Sequence, residues 1–467
     1  MRTIIDPPGA LEPGLAAVRA EFSVPASFSP EVIAAAAQAV IRTPSEHVDR
    51  TDRHFVTLDP ATSTDLDQAF AIHRSGNDLV LHYAIADVAW FVRDGDPLDR
   101  EAWRRGETLY LPDGRAGLYP PALREDAASL LPTGPRPAVI FTVRVAPDGG
   151  VRLDGAERAL IRSRAKLAYD RVTEADLPPG FADLHARIAA AEERRGASRI
   201  DPPAQEVSRA DNDTYALSFT PRLKSEAQNA ALSLATNMAV ADALVAAGTG
   251  LFRVMPAPDD RAVARLRHTA AALGLAWPAE QSLDLFARSL SGAEPAPAAF
   301  MLGLRRASPG AGYAPFQPGE RPWHAAVAAT YAHATAPLRR LADRYVVQAA
   351  LAVANGRPVP EPVAQAFERL PPVMARADAV AGRINRAVID LAEAVVLAPR
   401  VGERFGAVVI DADDDGARIQ LCDIAVAARL PQRGLRPGQA VEVILAAVDP
   451  IKRRISFAPS DGSDQRQ

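Results

Sequence analysis

Between residues 54 and 161, apolar positions come in short runs broken by turn formers, the pattern of strands rather than helices. Residues 54–58 read as a short buried strand. Residues 69–73 and 79–86 flank Ser75-Gly76-Asn77, and residues 138–145 and 151–161 flank Pro147-Asp148-Gly149-Gly150, which are two hairpin signals. Residues 107–112 add a further short strand, so antiparallel pairing is expected to dominate 54–162. Beyond that the apolar period lengthens to that of helices: 225–247 closed by Gly248, 259–273, 338–354 stopped by Asn355-Gly356, and 362–398. Residues 401–457 return to short strands separated by Pro-Gly turns, five in all, the rhythm of an OB-fold. Strands followed by helices predict an α+β fold for the large unit.

Residues 11–22 and 32–41 predict two helices ahead of the first strand, the second opened by Ser29-Pro30-Glu31. With no basic recognition helix in view, packing against the next domain is the default, and a helix-turn-helix-like module is the alternative. The expected domains are a small helical region at 1–50, a catalytic-sized α+β unit at 51–399, a barrel at 400–458 and a disordered tail at 459–467.

Composition narrows the class. At 467 residues, 48% hydrophobic and 24% charged, the chain suits a multi-domain globular protein. The lysines are Lys166, Lys224 and Lys452 only, so positive charge is carried by arginine, whose planar fork matches phosphate. A formal charge of −4 argues against binding nucleic acid by global charge and leaves room for a local basic channel. The single cysteine, Cys422, excludes an internal disulfide and a cysteine-based zinc site. The first residues lack the apolar core of a signal peptide, and no membrane span is expected, which points to the cytoplasm.

The chemistry gathers in residues 57–70. Asp59 stands at the end of the first strand, and Asp65 and Asp67 follow a turn-rich segment, two residues apart and so on one face of an extended chain. Three ionised carboxylates in nine residues between apolar strands repel one another, and a hard divalent cation such as Mg2+ or Mn2+ relieves that cost. On spacing alone, a solvated acidic loop is the competing reading.

Five segments in order then resemble the ribonuclease II family, the RNB-type exoribonucleases. Thr57-Leu58-Asp59 through Ala69-Phe70 is similar to the acidic signature T-[IL]-D-x5-D-x-D-D-A, and Ala84-Ile85-Ala86-Asp87-Val88 to the I-A-D strand. Leu109-Tyr110-Leu111-Pro112 matches the tyrosine segment, and Lys166-Leu167-Ala168-Tyr169-Asp170 the segment after the second hairpin. Tyr331 to Asp343 is similar to Y-x-H-x-T-S-P-[IL]-R-R-Y-x-D, and the final barrel to the ribosomal S-one type of RNA-binding domain.

The resemblance implies 3′-to-5′ hydrolysis of single-stranded RNA to nucleoside 5′-monophosphates, with Mg2+ (or Mn2+) on an aspartate cluster. It places the metal on Asp59, Asp65, Asp67 and Gln68, and catalysis on Asp67, Arg339 and Tyr110. RNA contacts fall on Tyr110, Tyr169, His333, Arg339, Arg340 and Arg344. Asp87 and Asp343 are expected to orient neighbours, and Pro337 to open a helix that aims Arg339 at an anion. The partner is an RNA 3′ end, with a monomer expected and no protein partner implied. The chain departs from the family where a fourth aspartate becomes Gln68, and about 50 residues cannot hold the two cold-shock domains common upstream in relatives. An RNA-binding relative with weak or lost catalysis is therefore the alternative.

Overall fold

The computed structural model describes residues 4–5, 10–197, 204–209, 214–220, 223–290, 295–307, 310–413, 415–424 and 426–460. Its centre is a seven-stranded sheet in the order Ser163–Ala168, Phe55–Asp59, Gln68–Ser75, Asp78–Ala86, Arg136–Val145, Val151–Ile161, Val48–Asp49. The middle pairings are antiparallel, as the alternating pattern predicts, and the two outermost are parallel. The first hairpin closes between Ser75 and Asp78 with Gly76 at φ +62°. The second turns at Gly149, at φ +73°, where a Cβ would sit 2.3 Å from the Arg187 carbonyl oxygen. Glycine there lets the turn lie directly on the helix Phe181–Arg195.

One face of the sheet is covered by helices. Phe70 stacks on Phe181 at 5.4 Å, and Lys224–Ala246 and Leu341–Ala354 bury their apolar positions in the same core. Lys224–Ala246 is long and apolar enough to cross a membrane, although no such run was expected; here Leu232, Val240 and Leu244 are buried within the protein core.

Residues 404–459 form a nearly closed five-stranded barrel in the order Ala427–Leu430, Gly416–Leu421, Arg404–Asp413, Ala440–Asp449, Arg454–Pro459, which is the expected OB-fold topology. The helix Glu361–Leu397 joins the two bodies. Val363, Phe367 and Met374 lie in the core of the large unit, whereas Ile384, Leu391 and Leu397 pack with the barrel.

The two N-terminal helices do not build a module of their own. Glu12–Glu21 contributes Leu15 and Val18 to the core shared with the barrel, and Pro30–Val40 contributes Val32, Ala36 and Ala39 to the core of the large unit. They enter two different cores. Within the tail expectation, residues 461–467 lie outside the described residues.

Candidate active site

The strand Phe55–Asp59 ends by laying Asp59 beside Ala168, and the Asp59 carbonyl accepts the Tyr169 N–H at 3.2 Å. The chain then loops outward and returns at Thr64-Asp65-Leu66. That return is pinned by Ser129, whose hydroxyl donates to the Thr64 carbonyl (2.7 Å) and accepts the Leu66 N–H (2.9 Å). The Asp67 carbonyl receives the Ala86 N–H at 2.9 Å, so Asp67 sits at the mouth of the next hairpin. Two neighbouring strands thus carry the three carboxylates to one end of the sheet.

Facing them is the turn 337–340. The expectation that Pro337 opens a helix is corrected: the helix begins at Leu341, with Arg340 as its N-cap. Residues 335–340 form a single turn in which Arg339 and Arg340 donate to the Ala336 carbonyl at 3.2 and 3.0 Å, and carboxylates take three further N–H groups. Leu338 donates to Asp67 at 2.7 Å, and Thr335 and Ala336 both donate to Asp343 at 3.0 and 2.8 Å. The Arg339 guanidinium emerges exposed, its Nε 3.5 Å from the Asp67 carboxylate. Its carbonyl accepts the Thr108 N–H at 2.9 Å, which ties the turn to the segment leading into Tyr110.

Two rings flank the acids. Tyr110, on the short strand Leu109–Leu111, is 54% exposed and lies within the electrostatic reach of Asp65, Arg339 and Asp67. Tyr169 is half-buried. Its hydroxyl accepts from Asn229 at 2.9 Å, and the same amide reaches the Leu58 carbonyl at 3.1 Å.

Burial lifts the Asp59 carboxyl to about 6 and that of Asp67 to about 8, against the opposing pull of Arg339 on both. Asp65 pushes both further upward. At about 8 the Asp67 carboxyl holds its proton at neutral pH unless a cation compensates it, whereas Asp59, at about 6, gives its proton up just below neutrality. The donor set, hard carboxylate oxygens in a desolvated cleft, fits a divalent metal in chemistry. Its geometry is open: among the described residues no three His, Cys, Asp or Glu side chains are gathered as a ligand set.

Several expected roles change in the structure. Gln68 is not free to ligate: its Nε2 donates to the Thr335 carbonyl at 2.6 Å, and its Oε1 accepts from the Tyr83 hydroxyl at 2.5 Å. It is a strut between the sheet and the arginine turn. Arg340 is spent on Asp343 through two bonds of 2.9 and 2.8 Å, which removes it from RNA contact. Arg344, 2% exposed, pairs with buried Asp99 and the Tyr345 hydroxyl, so it cannot reach RNA either. His333 bonds the Tyr313 hydroxyl at 2.8 Å and lies edge-on to Tyr331; burial, then Arg340 and Arg253, hold its pKa well below the usual range. It belongs to the scaffold. Asp87 caps Val88–Phe91 and meets His47 and Arg158, each at 3.0 Å. Asp87 and Asp343 both orient their surroundings.

One participant escapes the sequence reading. Arg115 bonds Asp65 at 2.6 Å and the Thr64 hydroxyl at 2.7 Å. A signal for it exists in Leu111-Pro112-Asp113-Gly114, which closes a tight hairpin and sets Arg115 opposite Tyr110.

Residues 47–354 match the RNB domain family, and residues 403–460 match the RNase II-type exonuclease C-terminal S1 domain. The chain belongs to the RNB family. It is 40% identical over 128 residues to Exoribonuclease 2 of Pectobacterium atrosepticum, covering 27% of this chain and 20% of that protein. It is 30% identical over 321 residues to Ribonuclease R of Escherichia coli, covering 63% of this chain and 39% of that protein. The chain thus spans well under half the length of these curated relatives.

Among solved structures, the fold matches Mycoplasma genitalium RNase R in complex with ribose-methylated single-stranded RNA, with a TM-score of 0.85 at 19% identity over 97% of this chain and 78% of that one. It also matches yeast Ssd1, described as a pseudonuclease, with a TM-score of 0.69 at 16% identity over 88% and 52% of the two chains. At these identities the likeness is one of fold.

Proposed function

We propose that this chain is a 3′-to-5′ exoribonuclease hydrolysing single-stranded RNA from its 3′ end to nucleoside 5′-monophosphates, acting in RNA degradation or processing in the cytoplasm as a monomer. The observation that carries this reading is the meeting of two desolvated carboxylates, Asp59 and Asp67, with the exposed Arg339 guanidinium 3.5 Å from Asp67. Acid without base would serve many purposes, but acid and guanidinium facing one cleft suit a phosphodiester.

Asp59, Asp65 and Asp67 are the residues that would hold Mg2+ or Mn2+, and such an ion supplies an activated water and neutralises phosphoryl oxygens. Arg339, whose fork is otherwise open to solvent, binds the scissile phosphate as charge grows on its oxygens. Tyr110 offers a ring face to the terminal base, and Tyr169, fixed by Asn229, walls the cleft beside Asp59. The barrel guides RNA upstream of the cleft. The complex of the M. genitalium relative with single-stranded RNA supports this polymer as substrate.

The test is incubation of 5′-labelled poly(A) with the protein and Mg2+, then with EDTA. A ladder of shortening products that EDTA abolishes is expected, and RNA bound but intact overturns the reading. That second outcome is the signature of an RNA-binding relative with little catalysis. The commitment of Gln68 to Tyr83 and Thr335, where the family signature has a carboxylate, is what favours it.

A further inference from the structure

Asp65 is the carboxylate of the cleft that a guanidinium holds at hydrogen-bond distance, whereas Arg339 stands 3.5 Å from Asp67. The loop presenting it is rigid, since Ser129 fixes Thr64 and Leu66 on either side and Leu130 donates to the Leu66 carbonyl at 3.0 Å. From the hairpin opposite, the Arg115 guanidinium donates to Asp65 Oδ1 at 2.6 Å. Asp65 Oδ2 has no hydrogen bond among the described residues. The pair is mostly sheltered, the side chains of Arg115 and Asp65 being 23% and 10% exposed.

Arg115 has a second acid within reach. Its Nη2 lies 3.1 Å from Glu125 Oε1. Glu125 is itself held by Arg124, also at Oε1, at 2.5 Å. Arg124 is buried against Gly117, where any Cβ would sit 2.3 Å from its Nε. Glu125 is therefore fixed beside the guanidinium as a second acceptor, and Arg115 bridges two carboxylates, Asp65 and Glu125.

We propose that Arg115 is the resident counter-ion of Asp65, and that uptake of a divalent cation discharges it from Asp65 toward Glu125. This inference rests on the metal-dependent reading above. Arg115 is a positioning residue: without metal it neutralises Asp65 and keeps it in place, and its positive charge competes with the incoming ion. Glu125 lowers the cost of exchange by receiving the displaced guanidinium. Tyr110 is the cross-strand partner of Arg115, so the same hairpin carries both the exchanged cation and the ring that meets the base.

The test is titration of the full chain with Mn2+ in the absence of RNA, followed by electron paramagnetic resonance of free Mn2+. Removing a competing unit charge beside the site makes Arg115→Met bind Mn2+ roughly tenfold more tightly than wild type. Arg115→Lys, which keeps the charge, returns to the wild-type value. Glu125→Gln, which removes the alternative acceptor, binds Mn2+ several-fold more weakly, and in the double variant that weakening disappears because there is no guanidinium left to receive.

Far-UV circular dichroism confirms that each variant is folded, and Arg115→Gln, which also removes the charge, carries the test with the same expected tightening if Arg115→Met does not fold. Unchanged or weaker Mn2+ binding by Arg115→Met overturns the exchange while leaving the metal site standing. A Glu125→Gln effect that persists in the double variant also overturns it. Wild-type protein that binds no Mn2+ overturns both this inference and the metal-dependent reading.

Discussion

The acidic stretch 59–68 and the arginine stretch 331–343 meet across one cleft, yet they handle buried polarity in opposite ways. In the arginine stretch almost every charge is matched. Asp343 takes two backbone N–H groups and both arms of Arg340, His333 has Tyr313, and further along the helix Arg344 has Asp99. In the acidic stretch, Asp59 makes no hydrogen bond through its side chain among the described residues, and Asp67 has one N–H and a distant guanidinium. With Asp65 set aside, since Arg115 pairs with it, the two stretches therefore give opposite chemistry. The matched side is scaffold, fixed by its own pairs, and the unmatched side is poised to take a cation from outside.

The strongest way to break that contrast is Asp67→Asn. Loss of a ligand charge is expected to reduce cleavage of poly(A) by roughly a thousandfold or more while RNA affinity by filter binding stays close to wild type. Unchanged turnover would show that the acidic side is not the reacting centre. Next comes Arg344→Met, which leaves Asp99 buried and unpaired; denaturant unfolding should show a loss of about 3–5 kcal/mol, with RNA affinity of the folded fraction unaltered. A specific loss of RNA binding there would contradict its assignment to the scaffold.

Arg339→Ala is expected to do the reverse, lowering kcat by about 2.7–4 kcal/mol in barrier while barely moving the unfolding midpoint. Tyr110→Ala should cost about 1–3 kcal/mol, read as a higher KM for RNA, because it removes one stacking face.

The contrast also has a pH signature. Asp59 and Asp67 bind a proton more tightly in the folded protein, at about 6 and about 8, than at their ordinary 3.8. The folded state is thus favoured by these groups at low pH, and the benefit is lost as pH rises from about 4 through 8. In EDTA, Asp67→Asn and wild type should differ little near pH 4 and diverge in favour of the variant by roughly 2 kcal/mol or more at pH 8. Saturating Mg2+ narrows the gap, since the cation offsets the charge that the variant lacks. A gap that does not depend on pH would remove the electrostatic account of Asp67.

Much of this was legible in the chain. Strand and helix order and the barrel follow from local pattern, whereas the grouping of Asp59, Asp65 and Asp67 with Tyr110 and Arg339 came from the family resemblance and stands as part of the proposal. What escaped was set by particular side-chain partners that the pattern does not show, some near in sequence and some far. Pro337 does begin one turn, but Arg340 is then extended and bridges Glu107, with Leu341 donating to the Gly106 carbonyl at 3.0 Å, so the helix starts only at Leu341. Arg340 and Arg344 look like an exposed basic face until Asp343 and Asp99 are seen to bury them. Gln68 shares its backbone position with a ligand in the family signature, and only Tyr83 and Thr335 reveal its different employment.

The N-terminal helix Glu12–Glu21 has a consequence for how the protein comes to be made. Its Leu15 and Val18 share a core with Leu391 and Phe405, Gly14 lies against Leu391, and Glu21 pairs with Arg453, 432 positions later. At a synthesis rate of 5–20 residues per second, roughly 20–90 s pass between the emergence of one partner and the other. Through that interval the helix has the 109–116 hairpin, with Leu111 and Ala116 in its core and Asp113 on Arg19, but lacks Leu391 and Phe405, so full closure is a long-range event that comes late in folding. The N-terminal helix of a newly made chain should therefore reach its final packing only after the barrel strands have left the ribosome.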